Sequence, residues 1–333
     1  KDNPMPAVCA LVCEHPCETR CRRNLVDDSI NIRGLKRYAV ENAGEVLVEK
    51  SAQSTGKRVA VIGGGPSGLS AAYYLSIMGH DVEVYEQRQK LGGMLRYGIP
   101  SYRLPRKVLD EEIETILSTG IKVNTGITVG KDISVMDLRD KYDAIYIAIG
   151  AHIDKKIGIE GPRAEGVISA VEVLRKIGDD EYPDFEGKSI IVIGGGNVAM
   201  DVARSAVRLG AKKVSVVYRR RKVDMTAMEE EVQGAIAEGC EILDLYAPGK
   251  VEVDENGHIK GLWIQPKIIG KIEDDRPIPV KAKGSEKFLE CDLLITAVGQ
   301  GIESKAFEKG GIPVTKGVIE ALSCAGVKDV PGI

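Results

Sequence analysis

Four thiols stand at an even spacing near the start of the chain: Cys9, Cys13, Cys17 and Cys21. Thiolates are soft ligands that suit zinc or iron–sulfur clusters. The spacing lacks the C-x2-C pair usual in zinc sites. Pro16 argues against one continuous helix through the four, so a loop that wraps a metal or cluster is expected. Arg20, Arg22, Arg23 and Arg33 surround them and would offset the negative charge of a thiolate-bound cluster. The plainer reading of these arginines is a solvated basic patch. Cys240, Cys291 and Cys324 are isolated near apolar runs and read as small buried hydrophobes. An odd total of seven cysteines, four of them within the first 21 residues, does not look like a secreted disulfide framework. A reducing, cytoplasmic compartment fits better.

A second kind of chemistry lies in two glycine loops. Gly63-x-Gly65-x-x-Gly68 follows the apolar run Val59–Ile62, with Pro66 and Ser67 inside the loop. The first glycine makes a tight turn and the second lets backbone approach a pyrophosphate. The third lets helix and strand pack closely. The next apolar run, Val82 to Tyr85, ends at Glu86 and Gln87. An acid about twenty residues beyond such a loop is placed to accept hydrogen bonds from an adenosine ribose.

Gly194-x-Gly196-x-x-Ala199 follows Ile190–Ile193, with Asn197 and Val198 inside it. Its next strand, Val214–Val217, ends at Tyr218, followed by Arg219, Arg220 and Arg221. The acid is gone and a basic triplet stands in its place. Arginine offers a ribose 2′-phosphate both charge and bidentate hydrogen bonds, so this site is read as preferring NADP(H). The plainer alternative is a solvated surface loop.

One chain with both loops points to FAD at the first and NADPH at the second. Hydride transfer from a nicotinamide to a flavin needs stacking and orientation, not a protein acid or base. His15, His80, His152 and His258 form no triad with Asp or Ser, and each reads as surface or structural. No catalytic side chain is assigned. There is no cysteine between Glu86 and Cys240 to serve as a disulfide pair beside the flavin. An iron–sulfur cluster at the N-terminal thiols, which takes electrons singly, is therefore the preferred outlet over structural zinc.

These groups must be carried by a larger scaffold. The chain has 333 residues and a mass of 35.9 kDa, which suits two or three domains. Glycine is abundant, at 38 residues, and aromatics make up only 5%. Net charge is −3 and the pI about 6.0, so no basic excess draws the chain to nucleic acid or an anionic membrane. No apolar run is long enough for a membrane span, and no signal peptide is visible. The chain opens at Lys1 and stops at Val330–Ile333, and reads as a segment cut at both ends. Ile32, Leu35, Ala39, Ala43 and Leu47 give Ile30–Glu49 a helical pattern. Ser51–Lys57 reads as a polar linker.

Beyond it, residues 56–72 (GKRVAVIGGGPSGLSAA) and 187–203 (GKSIIVIGGGNVAMDVA) repeat the same strand, turn and helix. Tyr142–Gly150 and Asp292–Gly299 read as late strands whose ends, at Gly150 and Gly299, lie near a cofactor crevice. The expected fold class is α/β, with two Rossmann-like nucleotide-binding domains behind a small helical segment.

The chain resembles the small (β) subunit of NADPH-dependent glutamate synthase and its relatives. Those relatives include the large subunit of NADH-dependent ferredoxin:NADP oxidoreductase and the N-terminal half of dihydropyrimidine dehydrogenase. The resemblance rests on Asn3–Arg23, Val59–Ala72, LGGMLRYGIPSYRLP (Leu91–Pro105), Val192–Arg204 and Tyr218–Arg221. It implies FAD at the first loop, with Leu91, Gly92 and Arg96 near the flavin, and NADP(H) at the second, near Asn197 and Arg219. It implies a helical iron–sulfur domain over residues 1–50. An FAD domain over 51–155 and 297–333 would be interrupted by an NAD(P) domain over 156–296. It also implies [4Fe-4S] clusters that relay electrons to other subunits of an oxidoreductase complex.

The family carries further cysteines upstream, so the four here either ligate one cluster or divide between two. In relatives an acid or amide near the position of Lys36 can complete one cluster, and lysine cannot serve as an ordinary ligand. The family's FAD-binding Gly-Gly-Asp would follow Ile333, so residues 1–333 alone are expected to hold FAD weakly. Two other readings compete: a nucleotide-binding assembly or sensor subunit without turnover, and a zinc-stabilised flavin reductase.

Overall fold

The computed structural model describes residues 2–44, 48, 52–161, 164–273, 276–322 and 326–333. Leu47, Glu49, Ser51 and Cys324 lie outside the described residues. The chain forms two compact units. One holds Lys1–Arg96, Ser101–His152 and Gly301–Ile333; the other holds Tyr97–Pro100 and Ile153–Gln300.

The first unit opens with short helices. In α1 (Pro6–Val12) proline takes the first helical position, where its missing N–H costs nothing. Cys13 is extended, and α2 (Pro16–Thr19) restarts the chain at Pro16. Asn31 caps α3 (Ile32–Glu41), its side-chain oxygen accepting from the Gly34 N–H at 2.7 Å. This helix is shorter than the periodicity predicts. It stops at Glu41, with Asn42 as its C-cap and Gly44 in the left-handed region, so Ala43 is not helical. None of its residues is buried, and Leu35 and Tyr38 are 61% and 68% exposed. Among the described residues, Leu35 and Tyr38 of its apolar stripe therefore meet no core.

Next come β1 (Arg58–Ile62), α4 (Pro66–Ile77), β2 (Asp81–Glu86), α5 (Met94–Tyr97), α6 (Arg106–Leu117), β3 (Lys122–Thr125), α7 (Val135–Lys141) and β4 (Ala144–Ile147). The strands form a parallel sheet in the order β3-β2-β1-β4. Strand β1 is central and buried from Val59 to Ile62, which is why it reads as an unbroken apolar run. Phe307, Ile312, Val327 and Val330 join Ala60, Ile62, Leu138 and Ile145 in one core, so the last segment of the chain packs back into this unit.

The second unit contains β5 (Ile153–Asp154), β6 (Val167–Ser169), α8 (Ala170–Gly178), β7 (Ser189–Ile193), α9 (Asn197–Arg208), β8 (Lys213–Tyr218), α10 (Glu229–Ala237) and β9 (Glu241–Asp244). It continues with β10 (Tyr246–Val253), β11 (Ile259–Glu273), β12 (Arg276–Lys281), β13 (Lys287–Glu290) and β14 (Leu293–Thr296). Five parallel strands run in the order β6-β14-β7-β8-β9. Phe185, Leu174 and Met200 fill the space between this sheet and its helices. A second, antiparallel sheet, β10-β11-β12 with β13 also on β11, is an addition that the strand–helix repeat does not announce.

In the first unit a polar knot ties three strand regions together. The Tyr142 hydroxyl donates to Glu83, the Asn124 amide donates to Glu83 at 2.8 Å, and Tyr85 and Tyr142 hydroxyls lie 2.8 Å apart. Burial acts to raise the Glu83 pKa, but these hydrogen bonds outweigh it and hold the carboxyl below its ordinary value. Tyr142→Phe removes two bonds, those to Glu83 and to the Tyr85 hydroxyl, and leaves that carboxylate short of a donor. The expected cost is about 1–3 kcal/mol, read as a lower urea midpoint at unchanged slope.

Candidate functional site

The first glycine loop sits at the carboxyl end of β1, where the sheet order reverses between β1 and β4. In open α/β sheets this is where ligands bind. Gly63 has φ +110°, and a Cβ there would overlap the Ala148 carbonyl. A Cβ on Gly68 would overlap the Gly63 carbonyl, so the third glycine is required by close packing of α4 on β1. A cavity of about 510 Å³ opens above the loop. Gly63, Gly65, Pro66 and Ser67 line it, as do Glu86, Gln87 and Gly150 across from them.

Glu86 is 5% exposed, and its oxygens already accept from two backbone donors. The Gly64 N–H lies at 2.7 Å and the Arg88 N–H at 2.8 Å. The acid expected to meet a ribose also holds the glycine loop in place, a role that spacing alone does not show. Leu91, Gly92 and Arg96 sit behind the loop rather than in the cavity wall. The Leu91 side chain fills the space where a Gly64 Cβ would be, and the Gly92 N–H donates to the Gly64 carbonyl at 2.8 Å. Arg96, 5% exposed, donates to the Leu91 carbonyl at 2.7 Å and pairs with Asp110. Their neighbours Gly93 and Met94 reach the cavity.

His152 differs from the sequence reading. It lines the same cavity, with Nε2 3.3 Å from the Gln87 amide nitrogen and Nδ1 3.2 Å from the Ile149 carbonyl. If Nδ1–H donates to that carbonyl, Nε2 is left to accept from Gln87. Its place two residues after Gly150 was the one available signal.

The second loop repeats the backbone geometry. Gly194 has φ +149°, and the Ala297 carbonyl occupies the place of its Cβ. Ala199 is fully buried and Val198 packs against the same core, while Gly299 has φ +116°. The Tyr218 ring lies 2.5 Å from a Gly195 Cβ position, and its hydroxyl donates to the Asp224 carbonyl at 2.8 Å. The chain after the arginines folds back over the loop. Thr226 and Ala227 N–H groups donate to the Gly195 carbonyl at 3.0 Å, and the Met228 N–H donates to the Asn197 side chain at 2.9 Å. The triplet divides. Arg221 pairs with Asp224 at 2.8 Å, Arg220 donates through Nε to the Pro277 carbonyl at 2.6 Å, and Arg219 is exposed. Arg221 is thus committed to the turn, and Arg220 is tethered through Nε alone.

In both loops glycine lets the protein's own backbone close on the turn: a Cβ on Gly63, Gly68 or Gly194 would meet a carbonyl oxygen. The thiols give a different result. Among the described residues no three His, Cys, Asp or Glu side chains converge as a metal site. Their surroundings do suit thiolates. The His15 N–H donates to Cys13 Sγ at 3.4 Å. Backbone N–H groups of Ile30 and Arg23 draw the Cys21 thiol below its ordinary pKa, with the Arg23 charge adding to them. Cys240 and Cys291 are the opposite case, buried and pushed by burial to about 11 and about 12.

The chain belongs to the pyridine nucleotide-disulphide oxidoreductase family, whose model matches residues 57–330. Residues 1–47 match the model for domain II of dihydropyrimidine dehydrogenase, described as 4Fe-4S cluster. The chain is 40% identical to the beta subunit of NADP(+)-dependent formate dehydrogenase from Moorella thermoacetica, over 99% of this chain and 50% of that protein. It is 32% identical to the glutamate synthase [NADPH] small chain of Escherichia coli, over 89% of this chain and 66% of that one. The chain spans about half the length of the first of these relatives. Among solved structures, Mycobacterium tuberculosis FprA in complex with NADPH shares the fold, with TM-score 0.64 and 20% identity over 79% of this chain and 76% of that one. No helix among the described residues is long and apolar enough to cross a membrane.

Gly68→Ala places a methyl against the Gly63 carbonyl and is expected to cost about 1–3 kcal/mol, seen in the urea midpoint, with loss of bound FAD. Gly158→Ala, where nothing lies within 4 Å, is expected to stay within about 0.5 kcal/mol.

Proposed function

We propose that this chain is the NADP(H)- and FAD-binding part of an electron-transfer subunit that serves a larger cytoplasmic oxidoreductase complex. One contrast carries the reading: the same strand–loop–helix occurs twice, and the strand after it ends in Glu86 at one site and in Tyr218-Arg219-Arg220 at the other. The acid suits free ribose hydroxyls and repels a 2′-phosphate. The arginines do the reverse.

Gly63, Gly65, Pro66, Ser67, Glu86, Gln87 and Gly150 would hold FAD. Gly194, Gly196, Asn197, Val198, Ala199, Arg219, Arg220 and Gly299 would hold NADP(H). Bound flavin supplies the exchange between a two-electron hydride donor and one-electron acceptors. The protein's own contribution is positional. Bare backbone at both loops admits pyrophosphate, and the apolar cavity wall excludes water from the flavin side. The family-model match over residues 1–47 and the thiolate-favouring amides at Cys13 and Cys21 support [4Fe-4S] ligation. The four cysteines either ligate one [4Fe-4S] cluster or divide between two. Named relatives are subunits of formate dehydrogenase and glutamate synthase, which supports a partner subunit for this chain.

The full-length protein, purified without oxygen, is expected to show flavin and broad iron–sulfur absorption that bleach on NADPH addition. A colourless preparation containing zinc overturns the proposal, and a coloured one that NADPH leaves unbleached points to the sensor reading. Arg219→Ala with Arg220→Ala is expected to weaken NADPH binding about ten- to hundredfold, the scale of lost hydrogen bonds to a charged group, with NADH little changed. Equal loss for both nucleotides would refute the 2′-phosphate role.

A further inference from the structure

Helix α6 carries two carboxylates that look in different directions. Asp110 and Glu112 are two residues apart, about 200° around a helix of 3.6 residues per turn. Asp110 pairs with the buried Arg96, whose guanidinium braces the Leu91 carbonyl behind the first glycine loop. Leu109 of the same helix packs beneath Gly92, 3.2 Å from where its Cβ would stand. Glu112 is 9% exposed and turns the other way, onto α1. Its Oε1 accepts from the Ala7 N–H and its Oε2 from the Val8 N–H at 3.0 Å. Among the described residues no ion pair neutralises it; two free amides at the start of α1 are its partners. Val8 and Ala10 are both buried, and Cys9 lies between them in sequence.

A buried carboxylate costs free energy unless it is held, and the first turn of a helix leaves exactly such N–H groups unmade. Removing the carboxylate would leave both amides without their acceptor, the Val8 amide in a buried site and the Ala7 amide in a part-buried one.

We infer that Glu112 is a positioning residue that locks the cysteine-bearing helix α1 onto α6, so that one strut fixes both the loop behind the flavin site and the first thiols. The inference rests on the electron-transfer reading above. Single electrons pass from reduced flavin to an oxidised acceptor centre, and that rate falls steeply with distance. A strut that holds both ends sets the distance without touching either cofactor.

The test uses the full-length protein, purified without oxygen, with Glu112→Gln, Glu112→Ala and the exposed control Glu111→Gln. Amide hydrogen exchange in Pro6–Val12 is expected to speed up about ten- to hundredfold in Glu112→Ala, the scale set by a hydrogen bond to a charged group. Glu112→Gln keeps one acceptor oxygen and is expected to fall between. Exchange in Pro66–Ile77 and throughout Glu111→Gln is expected to match the wild type. After mixing with NADPH, flavin absorbance is expected to bleach within about twofold of the wild-type rate. Iron–sulfur absorbance is expected to bleach about tenfold more slowly, as expected when a positioned group shifts by about an ångström.

Unchanged exchange in α1 overturns the clamp. Faster exchange with an unchanged iron–sulfur phase, or equal slowing of both phases, overturns the positioning role. The exchange measurement needs neither cofactor, so its result stands even where the functional reading fails.

Discussion

The Glu86 carboxylate is the interaction on which the first nucleotide site depends. It is almost wholly buried, and a buried carboxylate persists only where its oxygens are held. The Gly64 and Arg88 amides do this, and each oxygen keeps a second lone pair for a ligand hydroxyl. The same bond pins the glycine loop to the end of β2. Loop geometry and the acid that lines the cavity are therefore one feature, not two. Gly63 completes it from the other side, because its left-handed backbone lets β1 close against the Ala148 carbonyl.

The second site solves the same backbone problem with different chemistry. Tyr218 replaces Glu86 at the end of the corresponding strand and presses an aromatic ring under Gly195. A ring can support a loop by packing, but it accepts nothing from a ribose. The chain after it supplies charge instead. Only part of that charge is available: Asp224 takes Arg221, and the Pro277 carbonyl fixes one nitrogen of Arg220. A run of three arginines is thus one turn-forming residue, one tethered residue and one exposed residue.

What could be read in the amino-acid order was local. The two strand–loop–helix repeats show in sequence because their signal lies within about thirty residues (an apolar run, glycines, a strand end), although the Ala148 and Ala297 carbonyls that close on Gly63 and Gly194 come from far along the chain. Cys240 and Cys291 show for the same reason, as small residues at the edges of apolar runs. The antiparallel sheet β10–β13 does not, since its strands mix buried and exposed positions without strict alternation, as Ile259–Glu273 illustrates. Nor do His152 and Glu112. His152 earns its place from Gln87, 65 residues away, and Glu112 from Val8, 104 residues away. The end of α3 was missed for a local reason that competes with periodicity: Asn42 and Gly44 stop the helix although apolar residues continue.

The cysteine segment shows how little of its own order it contains. A seven-residue helix such as α1 is not stable alone in water, because nucleation outweighs so few internal hydrogen bonds. Its partners meet it with the right sign of charge at each end. The Glu112 carboxylate stands at its amino end, while from α3 the Lys36 ammonium donates to the Cys9 carbonyl at 3.4 Å and the Arg33 guanidinium to the Cys13 carbonyl at 3.3 Å. Both match the helix dipole. Lys36, which cannot ligate iron, thus has work as a brace for the backbone that carries a thiol. Leu35 and Tyr38 on the outer face of α3 are exposed, while Arg33 and Lys36 hold it to α1 and Cys13. The positions of the thiols are therefore dictated from outside the segment: by α6 of the flavin-binding unit at one end and by the basic face of α3 at the other.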